Sequence, residues 1–323
     1  MLKLRRLLVP VNNLRRRVHP AALKAAQIAA RSGATVELFH AYDDLVDVYA
    51  LPDALETSAF ESAQHRKILD RLEKLADRLR RLGAIVTTAV ATDYPAHEAI
   101  IRRAGRMKAD LIVVDAQVHH RAPNLLRVTD WELLRHSSVP VLLVKSARAY
   151  RRPTIVAAVD PQHSFSKPTG LDARILEAGA TLEHLLGGRL HALHSYVPIP
   201  VMAMSTSNYS VELPDTIQRL AEKQARSGMD RLLGKSGIPR SRQHIVPKHP
   251  VDAIPQLVRE TEAAIVVMGA ISRSGLKRIF IGNTAERVLD DLTCDLLVVK
   301  PKGFDARVPK QARGIRWQLL SVM

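Results

Sequence analysis

The feature that most constrains this chain is that it repeats itself. Asp110–Asp115 (DLIVVD) matches Ala264–Gly269 (AIVVMG) at an offset of 154 residues, and Gly33–Tyr42 (GATVELFHAY) matches Gly187–Tyr196 (GGRLHALHSY) at the same offset. Val139–Lys145 (VPVLLVK) matches Cys294–Lys300 (CDLLVVK) at 155, and Tyr94-Pro95 matches His249-Pro250 at 155. Four separated segments in one register mark a duplication, so whatever one half folds into, the other must fold into as well.

Each half reads β-α-β-α-β-α-β-α-β. The first half has strands expected near 4–11, 34–41, 84–91, 110–115 and 139–145, with helices near 19–32, 55–82, 95–108 and 127–137. The second has strands near 154–160, 189–195, 242–247, 264–269 and 295–300. The strands are short and apolar throughout, as parallel strands covered on both faces must be. Ala21–Ala30 has strong helix propensity and stops at Gly33, a C-terminal cap. The expectation is an α/β protein of two tandem Rossmann-like half-domains of the adenine nucleotide alpha hydrolase-like type. Each has a five-stranded parallel sheet with helices on both faces. The expected bounds are 1–147 and 153–302, followed by a basic C-terminal tail, 303–323. The apolar final strands, Val139–Lys145 and Cys294–Lys300, need cover and suggest an intramolecular pseudo-dimer of the halves.

Composition narrows the setting. Cys294 is the only cysteine, so no intrachain disulfide forms and the residue reads as inert core. The basic N-terminus leads into a first strand, not a signal peptide, and no apolar run reaches the roughly 20 residues of a membrane span. A cytoplasmic protein is expected. The formal net charge is +16. Residues 1–150 carry 24 Lys/Arg against 16 Asp/Glu and the remainder, by difference, carries the same. Local clusters occur at Arg15-Arg16-Arg17 and at Arg102-Arg103 with Arg106 and Lys108. Such charge either attracts a polyanion or simply solvates the surface. With aromatic residues at 4% and no recognition-helix motif, no specific nucleic-acid partner is expected. His191 and His194, three apart on a strand, point to opposite faces. His119-His120 lacks a partner at zinc-like spacing, and no metal site is expected. Asp252, Glu260 and Glu262 read as helix-face or helix-end charges.

The chemically informative stretch is Gly269–Glu286. It follows a buried strand and opens a helix, the place where open α/β sheets hold ligands. Gly269, Gly275 and Gly282 permit close approach of an anion. Asn283 and Thr284 supply donors at the helix start, and Arg273, Lys277 and Arg278 supply charge. On spacing alone, a phosphate loop and a glycine-containing turn with an N-cap stand level. It is not a P-loop, because no Gly-Lys-Ser/Thr triplet is present. The apolar segment Tyr196–Tyr209, with Met202 and Met204, reads either as a lid over an apolar ligand or as a buried interface loop.

This loop, its flanking VVMG and CDLLVVKP strands and the opening LLVPV resemble the universal stress protein family, once per half. GNTAERVLD with TDWELLR (Thr129–Arg135) is similar to tandem E-type members of that family. The resemblance implies a role in stress resistance without known catalysis. ATP-binding members carry Gly-x2-Gly-x9-Gly-Ser/Thr. By that pattern Gly269 and Gly282 match the first and third glycines, Ser272 replaces the second and Asn283 the hydroxyl residue. Asp160 matches the acidic nucleotide contact. In the first half the matching positions are Asp115, Val118 and Arg127, and Asn12 replaces the aspartate. The expected cofactor site is therefore Asp160, Gly269, Ser272, Arg273, Gly275, Gly282, Asn283 and Thr284, with weak ATP binding or none, confined to the second half. The leading expectation is a non-enzymatic ligand-sensing or adaptor protein. The alternatives are an ATP-hydrolysing enzyme using the second-half loop, or a carrier of an apolar ligand.

Overall fold

The computed structural model describes residues 3–42, 54–116, 129–162, 170–197, 215–269 and 291–312. The chain divides into two compact units. One comprises Lys3–Tyr150 together with the segment from Gly303 onward, the other Arg151–Lys302.

In the first unit the strands are β1 (Arg6–Pro10), β2 (Thr35–Tyr42), β3 (Ile85–Thr92), β4 (Leu111–Asp115) and β5 (Val141–Val144). All pair in parallel, in the order β3-β2-β1-β4-β5. The helices are α1 (Pro20–Ser32), α2 (Ala54–Arg80), α3 (Ala96–Met107) and α4 (Thr129–His136). α1 packs beside α2 and α3 beside α4, as right-handed crossovers on opposite faces require. The second unit has β6 (Thr154–Val159), α5 (Leu171–Leu186), β7 (Arg189–Ser195), α6 (Asp215–Leu233), β8 (Gln243–Val246), α7 (Pro250–Thr261), β9 (Ile265–Gly269) and β10 (Asp295–Val299). Its order, β8-β7-β6-β9-β10, repeats the first, again parallel throughout. Parallel strands need both faces covered, and the central strands comply: Leu7, Leu8, Ile112, Ile155, Val156 and Val266 are all fully buried. Cys294 is buried as well.

The duplication extends to backbone conformation. Gly33 and Gly187, 154 residues apart, both end a helix in the left-handed region, at φ 71° and 61°. Lys108 and Glu262, also 154 apart, do the same at φ 51° and 49° although neither is glycine. Their amides reach back to Ala104 and Gly105 carbonyls in one unit and to Val258 and Arg259 carbonyls in the other. A backbone turn has outlasted any likeness between its side chains.

The Arg102-Arg103 pair, read as part of a surface cluster, is not solvated charge. Arg102 is buried and forks onto Asp93, Nε to Oδ2 at 3.0 Å and Nη2 to Oδ1 at 2.7 Å. Its Nη1 donates to Glu98 at 3.0 Å and to the Pro309 carbonyl at 3.1 Å. Arg103 forks onto Glu37, both contacts at 2.6 Å. The Arg307 amide donates to the His136 carbonyl at 3.3 Å. Residues 307–309 thus lie on α3 and α4 of the first unit. The linker is fixed to that unit too: Gln27 exchanges two hydrogen bonds with the Tyr150 backbone, and the Lys24 ammonium sits 4.5 Å above the Tyr150 ring.

Candidate functional site

In both units the chain order reverses beside the first strand, between β1 and β4 and between β6 and β9. Ligands of open α/β sheets lodge at the carboxyl ends of such a pair. In the second unit Asp160 follows β6 and Gly269 ends β9, so two of the eight expected site residues come together there. Ser272, Arg273, Gly275, Gly282, Asn283 and Thr284 lie outside the described residues, as do Met202, Met204, Val118, Arg127 and His119-His120.

Asp160 is buried, and its amide donates to the Asp172 carboxylate at 2.9 Å. Gly269 is covered by Leu171: a Cβ on Gly269 would stand 2.5 Å from Leu171 Cδ2 and 2.8 Å from Cγ. Leu171 is fully buried and cannot swing into solvent. The absence of a side chain at 269 is therefore required by packing, whatever it also permits toward an anion. We predict that Gly269→Val destabilises the second unit by about 1–3 kcal/mol, as overpacking does. A denaturation midpoint unchanged by the substitution would contradict this.

Leu171 and Asp172 were not singled out in the sequence, and the reason is a difference between the repeats. Measured back from the equivalent cap glycines, α5 has 16 residues and α1 has 13. The extra turn of α5 carries Leu171 onto Gly269 and Asp172 onto the Asp160 amide. The available signal was an aspartate two residues after Gly170, favourable in a first helical turn.

In the first unit Asp115 stands where Gly269 stands in the second. Its Oδ1 accepts the Ala21 amide at 2.8 Å, at the start of α1, where His19 provides no side-chain cap. The Asp115 carboxylate thus satisfies one of the amides that open α1. Arg16 Nη1 lies 3.8 Å away. Burial raises the pKa of Asp115, against the pull of the Ala21 amide and of Arg16. The same burial lowers that of His19. Asn12 is exposed. This cleft holds its own anion.

His191 and His244 form a stacked pair, Nδ1 to Nε2 at 3.0 Å, and burial lowers the pKa of both. His194 turns elsewhere, its Nδ1 3.3 Å from the Val159 carbonyl. Among the described residues no group of three His, Cys, Asp or Glu side chains is placed to hold a metal ion. An open concavity of about 500 Å³ on the second unit is lined by Lys248, Val251, Asp252, Pro255, Gln256, Arg259 and Asp291, with cations and carboxylates in equal number. No described helix is long and apolar enough to cross a membrane.

Comparison with known proteins gives this geometry its context. Residues 3–145 and 153–300 each match the universal stress protein family. The chain is 27% identical to Universal stress protein E of Photorhabdus laumondii over 297 residues, covering 90% of this chain and 93% of the relative. It is likewise 27% identical to Universal stress protein E of Escherichia coli K12 over 296 residues, 90% and 92% of the two chains. Among solved structures it resembles a functionally unknown protein, PA1789 from Pseudomonas aeruginosa PAO1. The identity is 27%, the TM-score 0.67, and the match covers 92% of this chain and 93% of that one.

Proposed function

Since the chain belongs to the universal stress protein family in its tandem form, we propose that it serves the stress response as a non-catalytic, cytoplasmic ligand-sensing or adaptor module. Any nucleotide is held weakly and by the second unit only. The observation that carries this reading is what the carboxylates around the two strand-end clefts do. Asp115 caps α1, and Asp172 holds the Asp160 amide. Both are engaged in holding the fold together, Asp115 at the opening of α1 and Asp172 at the opening of α5.

A nucleotide in the second unit would sit at the carboxyl ends of β6 and β9. Asp160 would contact it, and Gly282, Asn283 and Thr284 would offer donors to its phosphates. The first unit would not, because Asp115 already fills the position where phosphate charge would come.

The test is calorimetric titration of ATP into the whole protein and into Gly282→Glu, with phosphate release followed in the presence of magnesium. The expected result is weak binding or none, abolished by the substitution, and no turnover. Turnover lost with Gly282→Glu would establish the hydrolase reading instead. Two sites per chain, or binding indifferent to the substitution, would place the site elsewhere.

A further inference from the structure

From residue 63 on, helix α2 has one flank that is wholly basic and a neighbouring flank of mixed sign. Lys67, Arg71, Lys74 and Arg78 recur at intervals of four, three and four residues. At about 100° per residue they fall within about 60° of one another along one flank of the helix, and all four are exposed. Asp70, Glu73 and Asp77 occupy the neighbouring flank, a quarter-turn away. There Glu73 and Asp77 are taken up by Arg80, at 2.9 and 2.7 Å. The apolar face, Ile68, Leu72, Leu75, Ala76 and Leu79, is buried within the unit.

The basic row does not end with the helix. Arg78 Nη1 donates to the Arg17 carbonyl at 3.1 Å, which brings the loop after β1 against it. That loop adds Arg15, Arg16 and Arg17, all exposed. Four exposed cations therefore line one flank of α2 as a ridge, and the loop that carries three more meets it at the Arg17 carbonyl. Among the described carboxylates only Asp115 lies within 4 Å of any of the seven, 3.8 Å from Arg16.

A surface that merely stays soluble mixes its signs. This flank does not, and it keeps like charges at i,i+4 (Lys67 with Arg71, Lys74 with Arg78), which repel along a helix. A concentrated field of one sign draws an extended anion. From Lys67 to Arg78 the ridge rises about 16 Å, enough to follow several phosphates. The described part of α2 beyond residue 62 carries no Phe, Tyr or Trp, so no platform exists there for stacking unpaired bases. Its apolar face is packed inward, so the helix has nothing to insert into a lipid surface. What remains is recognition of backbone phosphates without reading of bases.

We propose that the first unit binds the phosphate backbone of duplex DNA along this ridge, independently of sequence. The test is fluorescence anisotropy of a labelled 20-base-pair duplex titrated with the full-length protein at 50 to 200 mM salt. Binding should weaken steeply with salt. The slope of log affinity against log salt should lie near about −4 to −6, for five to seven neutralised phosphates. The triple variant Lys67→Gln/Arg71→Gln/Lys74→Gln should lose at least tenfold in affinity at 50 mM salt, with a slope shallower by about 3. A second triple variant on exposed cations of the other unit, Lys223→Gln/Arg231→Gln/Lys235→Gln, changes the net charge equally and should bind as the unmodified protein does. Equal loss in both variants, absence of binding at 50 mM salt, or binding confined to vesicles containing anionic lipid would each overturn the proposal. Circular dichroism checks that both variants fold.

Discussion

Replacing Arg102 by alanine should cost the first unit about 3–5 kcal/mol, the range for removing one partner from a buried ionic network. The guanidinium side chain is 3% exposed, and its two carboxylate partners, Asp93 and Glu98, are 10% and 6% exposed. Burial disfavours its charge, but the hydrogen bonds it donates to Asp93 and Glu98 more than offset this and raise its pKa. Without it two buried carboxylates face each other with no cation between them. Arg102→Lys should recover little, because an ammonium cannot reproduce the two-pronged contact with Asp93. The measurement is the denaturant midpoint of the first-unit transition in the full chain, since two units need not melt as one. A loss below about 1 kcal/mol, or full rescue by lysine, would refute this account.

The second large effect is a dependence on acid. Glu132 Oε2 lies 3.0 Å from His136 Nε2, and Oε1 accepts from Arg135 at 3.1 Å. The His136 hydrogen bond, working against burial, draws the Glu132 pKa from 4.5 down to about 2, helped by the charges of His136, His97 and Arg135. Because the folded value lies below the unfolded one, the stabilisation is fully present above about pH 4.5. It is lost as the pH falls through about 2. The size is up to about 3 kcal/mol, at 1.36 kcal/mol per unit. Unfolding midpoints measured from pH 6 to 2 should fall more steeply for the natural chain than for Glu132→Gln, which has no charge to lose at that position. Parallel curves would show that the pair contributes nothing.

Glu132 lies in the TDWELLR stretch that helped carry the family resemblance, and its work is to hold α4 together. The sequence announced the stretch without announcing that role. The same division holds elsewhere. Strand positions were legible because parallel strands must be apolar on both faces. The cap at Gly33 was legible because a left-handed residue favours glycine. The Arg102–Glu98 contact was accessible in principle from its i,i+4 spacing. Glu37 for Arg103, 66 residues away, was not, because only the strand order brings it close. In the candidate site, Gly269 was read from the carboxyl end of its strand and Asp160 from the family resemblance. Leu171 and Asp172 were missed because one additional helical turn puts them there.

The Pro309 carbonyl that completes the Arg102 network lies 207 residues further along the chain. At a synthesis rate of roughly 5–20 residues per second, it leaves the ribosome about 10–40 s after the side chain it meets. The first unit to emerge is thus the last to be finished. Through that interval Arg102 has its two carboxylates but not its carbonyl, while the whole second unit is made. The order of birth and the order of completion run in opposite directions along this protein.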